Sequence, residues 1–189
     1  MTTDTVAPQR LLKFLKPGGM PPHGSGGAWP LPKGKRPGAW RKVTGNLVAC
    51  ENGLHAVPPE SLIYWLQEEL YEFDYRGEII AHTDDRGLQY VCREARLPRR
   101  IETWTLRTMR LCAIDCFMRQ LPAYEAVFPN DKDLRENIAT LRLVILEDRP
   151  QPDVDKIADA AWSSADAARS EERKEQSAIV LAYIEGRLP

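Results

Sequence analysis

Between residues 16 and 42 the chain reads "KPGGMPPHGSGGAWPLPKGKRPGAWRK", and this stretch restricts the possible folds more than any other. Each proline fixes φ and lacks an N–H, and each glycine must give up the most chain entropy to be ordered. Neither a helix nor a central strand can run through such a composition. A long connection is therefore expected over residues 17–42, leaving the short apolar run "LLKFL" before it as a first strand. The connection carries Lys33, Lys35, Arg36, Arg41 and Lys42, and Trp29 and Trp40 are expected to pin it.

Beyond the connection, "NLVAC" reads as a brief strand ended by the turn "ENG", where Gly53 takes up positive φ. Pro58 and Pro59 stand where a helix starts, and Glu60 suits its positive N-terminal end. Leu62, Ile63, Leu66 and Leu70 recur at helical spacing, which predicts an amphipathic helix over "PESLIYWLQEEL". In "YEFDYRGEII" the residues Tyr71, Phe73 and Tyr75 alternate with charged ones, the period of a half-buried strand. An acidic turn, "HTDDRG", leads to a further strand, "LQYVCREARL", with Tyr90 and Cys92 on one face. Residues 1–104 thus read as an α+β domain, a small and mostly antiparallel sheet with one packed helix.

After Trp104 the period becomes helical. Leu106, Met109, Ala113, Cys116, Phe117 and Met118 predict a helix ending near Pro122. A second helix follows, with Asn130 or Asp131 as N-cap and Leu134, Ile138, Leu141 and Ile145 as its stripe. The last, alanine-rich segment from about Val154 to Gly186 turns Ile157, Ala161, Ala168, Ile179 and Tyr183 inward, with the charge run "RSEERKEQ" as a candidate interruption. Short connections make residues 105–189 an antiparallel helical bundle.

The 26 basic and 27 acidic side chains give a formal net charge of −1, so no global field draws the chain to nucleic acid or to an anionic membrane. No apolar run approaches the roughly 20 residues of a membrane span, and the first residues lack the pattern of a secretion signal. Four cysteines, Cys50, Cys92, Cys112 and Cys116, are too irregularly placed for a disulfide scaffold. A cytoplasmic protein is expected.

Chemistry concentrates in few places. His55, in "CENGLHA", admits two readings: a neutral imidazole acting as general base, or a ring packed under the following helix and bonded to backbone. Cys50, His55, Cys112 and Cys116 are soft ligands without the paired spacing of a structural zinc site, so no metal is expected. The segment "PKGKRPGAWRK" interleaves cations with Trp40, a pattern that admits phosphate or nucleic-acid contacts as well as a plain solvated loop. Glu72 and Asp74 share one strand face, read as solvated.

Taken in order, "WPLPKGKRPGAW", "GNLVACENGLHAV", "LIYWLQEELYEFDYRGEI" and "REARLPRRIETW" resemble an uncharacterised domain of actinobacterial and phage-encoded proteins, over about residues 10–104. The segment "AIDCFMRQLPAYEAVFPNDKDLRENI" is similar to the helical immunity-protein-like family, with Cys116, Leu121, Pro122, Glu125, Pro129, Asp131, Arg135 and Ile138 in place. These resemblances imply a phage or mobile-element accessory protein that binds a host or phage protein, as a counter-defence or immunity-like antagonist. Its expected surface combines the basic loop, Gly53 and His55 of the "NGLHA" turn, and the acidic face of the last helix. The layout of strand with G-x-H, helix and strand with G-E also resembles the second motif of ADP-ribosyltransferases. That likeness implies an enzyme using NAD, with His55 on the nicotinamide side and Tyr64 or Tyr71 lining the pocket.

Overall fold

The computed structural model describes residues 10–23, 26–127, 133–147 and 170–188. The chain divides into one unit up to Glu102 and a second from Thr103. The fold is α+β, with antiparallel strand pairing in every ladder of the first unit and helices in the second.

In the first unit, β1 (Leu12–Leu15) pairs with β4 (Glu69–Glu72), placing Phe14 opposite Leu70. The long strands β5 (Asp74–Asp84) and β6 (Gly87–Arg96) form a hairpin with a bulge between Arg76 and Ile79, where Gly77 takes φ 75°. The other edge of β6 is shared by two short strands, β2 (Arg41–Lys42) against Ala95 and Glu94, and β3 (Leu54–Ala56) against Cys92 to Tyr90. Backbone hydrogen bonds between Leu12 and Val57 tie β1 to the end of β3, so the two sheets adjoin. Leu11, Leu15, Trp29, Leu54, Ala56, Tyr71, Phe73, Cys92, Ala95 and Leu97 form the core.

Two sequence expectations fail here. The run "NLVAC" is a turn rather than a strand, and "PESLIYWLQEEL" forms only a six-residue 3₁₀ helix, Pro59–Tyr64. Its consecutive residues Ser61, Leu62 and Ile63 are all buried, and the Glu69 and Leu70 that the helical spacing claimed belong to β4. Pairing of β4 with β1 satisfies a row of backbone groups that a longer helix would have drawn away, and tertiary pairing outweighs local spacing. The acidic turn is tighter than "HTDDRG", since β5 runs to Asp84 and β6 resumes at Gly87. The carboxylates of Glu72 and Asp74 are held by Arg99 and Arg96, at 2.5 and 2.9 Å.

The second unit has three described helices, α1 (Leu106–Val127), α2 (Asp133–Leu146) and α3 (Ser170–Ile184). Thr105 and Thr108 cap the start of α1 reciprocally, each hydroxyl accepting the other's backbone N–H. Near that start Arg107 donates to the carbonyls of Ile145 and Leu146 at the end of α2, while Glu125 late in α1 meets Arg135 early in α2. Arg119 meets Glu172, and Asp115 accepts from Tyr183 at 2.6 Å, so α2 and α3 both run antiparallel to α1. Leu111, Ile114, Leu121, Ile138, Leu141, Val180 and Tyr183 are buried.

Local stop signals are overridden here too. The helix passes through Pro122 instead of ending there. The charge run is helical from Ser170 onward, and whether it interrupts the alanine-rich segment before it lies outside the described residues. The side chains before and after Pro122 explain the first: buried Leu121 and the Glu125–Arg135 pair anchor both flanking turns, offsetting the lost N–H. Asn130, Asp131, Ile157, Ala161 and Ala168 lie outside the described residues.

Candidate functional site

The alternation of β1 puts Leu11, Lys13 and Leu15 on one face, so a lysine stands between two core leucines. Its Nζ donates to the carbonyl of His55 at 2.6 Å and lies 5.1 Å from the centre of the Trp29 ring. The guanidinium of Arg41 lies 4.9 Å from the same ring, and it donates to the carbonyls of Gly27, at 3.2 Å, and Gly26. Trp29 itself is 5% exposed and packs on Phe73. Lys13, Arg41 and Trp29 all line a cavity of about 460 Å³, whose further wall includes Cys50, His55 and Trp65.

Burial lowers the Lys13 ammonium to a pKa of about 8; Arg41 lowers it further and Cys92 works against the change. Burial likewise pushes the Cys92 thiol up to about 12. No carboxylate among the described residues forms an ion pair with Lys13 or Arg41, and carbonyl dipoles do not neutralise a full charge. Two polar atoms on the cavity wall, Trp65 Nε1 and Gln89 Oε1, are also buried without a hydrogen-bond partner among the described residues.

His55 is committed to structure. Its Nε2 accepts the backbone N–H of Cys50 at 3.0 Å, which holds Cys50 at φ 65°, a conformation most residues avoid. Gly53 is required in that turn because a Cβ there would lie 2.1 Å from Val91 Cγ1. Burial, then the charge of Lys13, lowers His55 to a pKa of about 4, with a Gly53 backbone hydrogen bond acting the other way and His82 adding slightly to the lowering. The ring is therefore neutral near pH 7, yet the nitrogen a general base would use is already engaged.

A depressed pKa means the unfolded chain takes the proton first. Stability from this ring is present above about pH 6.5 and is lost as pH falls towards about 4. After discounting for the ring's exposed edge, the loss is on the order of 1–2 kcal/mol. Urea midpoints of the full chain across that window should fall more steeply for the wild type than for His55→Gln.

Cys50 Sγ, His82 and Asp84 place ligand atoms within 4.8 Å of one another, the one such trio among the described residues. Arg86 already supplies the positive charge there, 3.1 Å from Asp84 and 4.0 Å from Cys50 Sγ, while stacking on Trp65. Asp84 is held below its usual range despite partial burial, because Arg86 donates to it from both backbone and guanidinium. Cys112 and Cys116, the other thiols weighed as ligands, are buried in the second unit, where burial and each other's proximity keep Cys112 a thiol.

The predicted binding residues separate. Arg41, Gly53 and His55 line the cavity, whereas Lys33, Lys35, Arg36, Trp40 and Lys42 do not. Lys33 and Arg36 close a tight turn through paired backbone hydrogen bonds of 2.9 and 3.0 Å, exposing Lys33, Lys35 and Arg36. The guanidinium groups of Arg76 and Arg96 lie 4.3 and 4.7 Å from the centre of the Trp40 ring. Neither Tyr64 nor Tyr71 reaches the cavity wall, and Tyr71 instead donates to Glu69 at 2.9 Å. On α3, Glu172 is taken up by Arg119, with Glu175 within 3.9 Å of the same guanidinium.

Lys13 is the site residue that motif spacing does not single out. Its one signal is a single charge within "LLKFL", a strand otherwise fit for burial on both faces. Compared with family models, curated proteins and solved structures, the chain has no match.

Proposed function

We propose that the first unit binds a small organic anion in the cavity, between Lys13, Arg41 and Trp29. The observation that carries this reading is the pair of cations on one indole ring, the lysine of the pair desolvated, and neither with a carboxylate partner among the described residues. Two like charges in a part-buried site repel, and a bound anion turns that cost into two charge-assisted hydrogen bonds. A cavity of about 460 Å³ suits a metabolite or a nucleotide fragment. NAD is one member of the class, through its diphosphate. The engaged Nε2 of His55 favours holding an anion over His55-based catalysis.

Calorimetric titration with pyrophosphate, ADP, NAD and 4-hydroxybutanoate tests the reading. Saturable heat is expected from at least one of them, weakened about tenfold or more in Arg41→Met. An anion beside Lys13 raises its pKa from about 8, so binding at pH 8–9 takes up a proton and affinity declines as pH rises above about 8. Heats independent of buffer ionisation at that pH, or no heat at all, count against it.

A second reading concerns the turn from Lys33 to Arg36, where three exposed cations have no ion-pair partner among the described residues. It supports contact with an acidic macromolecular surface, as an accessory or immunity-like protein would make. Retention of the wild type on an anionic column beyond that of a Lys33→Gln, Lys35→Gln, Arg36→Gln variant tests it. The slope of log affinity against log salt should become shallower by about one for each cation neutralised.

A further inference from the structure

Lys13 has a chemical property that anion binding alone does not use. It is an amine set between core leucines, beside a second cation, at the wall of a cavity. Desolvation and a neighbouring positive charge are the two arrangements that make a lysine nucleophilic near neutral pH. The groups facing it are the His55 ring and carbonyl on β3, Cys92 on β6 and Arg41 on β2; the first is neutral and the second stays a thiol. None of these takes the amine's proton away into a fixed ion pair.

We infer that Lys13 forms an imine with a small anion bearing an aldehyde or ketone group, its charged end held by Arg41; the inference rests on the anion-site reading and names its ligand class. The neutral Nζ attacks the carbonyl carbon, and the π pair moves to oxygen, which is protonated. The resulting carbinolamine takes a further proton on its hydroxyl and loses it as water while the nitrogen lone pair forms the C=N bond, the added nitrogen having released one proton. The net change consumes amine, carbonyl and one proton, and yields iminium and water. The iminium retains one N–H, enough to keep the bond now made to His55 O. Its positive charge also remains beside the anion, so the electrostatic pairing survives the chemistry.

Glyoxylate and 4-oxobutanoate are suitable probes, two aldehyde acids that differ in the reach from carbonyl to carboxylate. Each is incubated with the full chain and cyanoborohydride, which reduces the iminium to a stable secondary amine, and peptides are then mapped by mass. Lys13 is expected to be labelled about tenfold faster than exposed Lys16, Lys33, Lys35 and Lys42, because more of its amine is neutral. The rate should rise through about pH 8, slow about tenfold in Arg41→Met, and be suppressed by 4-hydroxybutanoate, which lacks the carbonyl. In Lys13→Arg, checked for an unchanged melting temperature, the fast phase should vanish while the surface lysines label as before. Labelling of Lys13 no faster than of the exposed lysines overturns the imine. In that event saturable heat with 4-hydroxybutanoate, pyrophosphate, ADP or NAD leaves the anion site standing, and no heat from any of the four removes both.

Discussion

Gly38→Ala is expected to lower the stability of the protein by about 2–4 kcal/mol. A Cβ at this position would stand 2.0 Å from the carbonyl oxygen of Pro30 and 3.0 Å from its carbon. Both are backbone atoms, so no rotamer change relieves the overlap. Nor can residue 38 retreat freely, because its N–H donates to Leu97 O at 2.9 Å and fastens the long connection to the core. Gly34 is the comparison: its φ of +56° favours glycine, but nothing lies within 4 Å of its would-be Cβ. Gly34→Ala should therefore cost about 1 kcal/mol from backbone strain alone. Urea unfolding of the two variants separates crowding from conformational preference, and equal losses would show that the contact with Pro30 relaxes.

Trp29→Ala should be larger still, about 3–5 kcal/mol, a substantial part of the stability of an ordinary domain. The indole is buried in the core, packs on Phe73 with ring centres 5.8 Å apart, and carries Lys13 and Arg41 over its ring. Removal leaves a hole and strips both cations of the ring that offsets their repulsion. Trp29→Phe keeps a ring and should recover more than half of the loss. Thermal melting gives the stability, and titration with an anion that binds the wild type gives the site. Unchanged anion affinity in a folded Trp29→Ala protein would separate the cavity's ligand from this ring.

Much of the architecture is legible from local chemistry. Glycine and proline density marks the long connection, and Leu134 to Ile145 mark α2. Alternation in "YEFDYRGEII" and "LQYVCREARL" marks strands, although the first run is divided, Tyr71 and Glu72 ending β4 and Asp74 starting β5 of the hairpin. What misleads is periodicity without a partner: the leucine spacing in "PESLIYWLQEEL" is compatible with a helix until Leu70 is seen opposite Phe14. The site is half legible. Arg41, Gly53 and His55 stand out on the right loop and turn, yet local composition spreads the expected surface over the whole run of cations from Lys33 to Lys42, only one of which lines the cavity.

Residue chemistry alone establishes where the chain could not be regular, which segments alternate and where the period changes from strand to helix, since these follow from φ restrictions and side-chain direction within a few residues. The properties of Lys13 and His55 depend instead on long-range packing. An isolated β1 would leave the lysine in water at its ordinary pKa. Pairing with β4, and the packing of Trp29, Arg41 and β3 around its amine, remove part of that water and lower its pKa to about 8. Burial and the charge of Lys13 lower the pKa of His55 in the same way. The solvation of both groups is set by atoms distant along the chain.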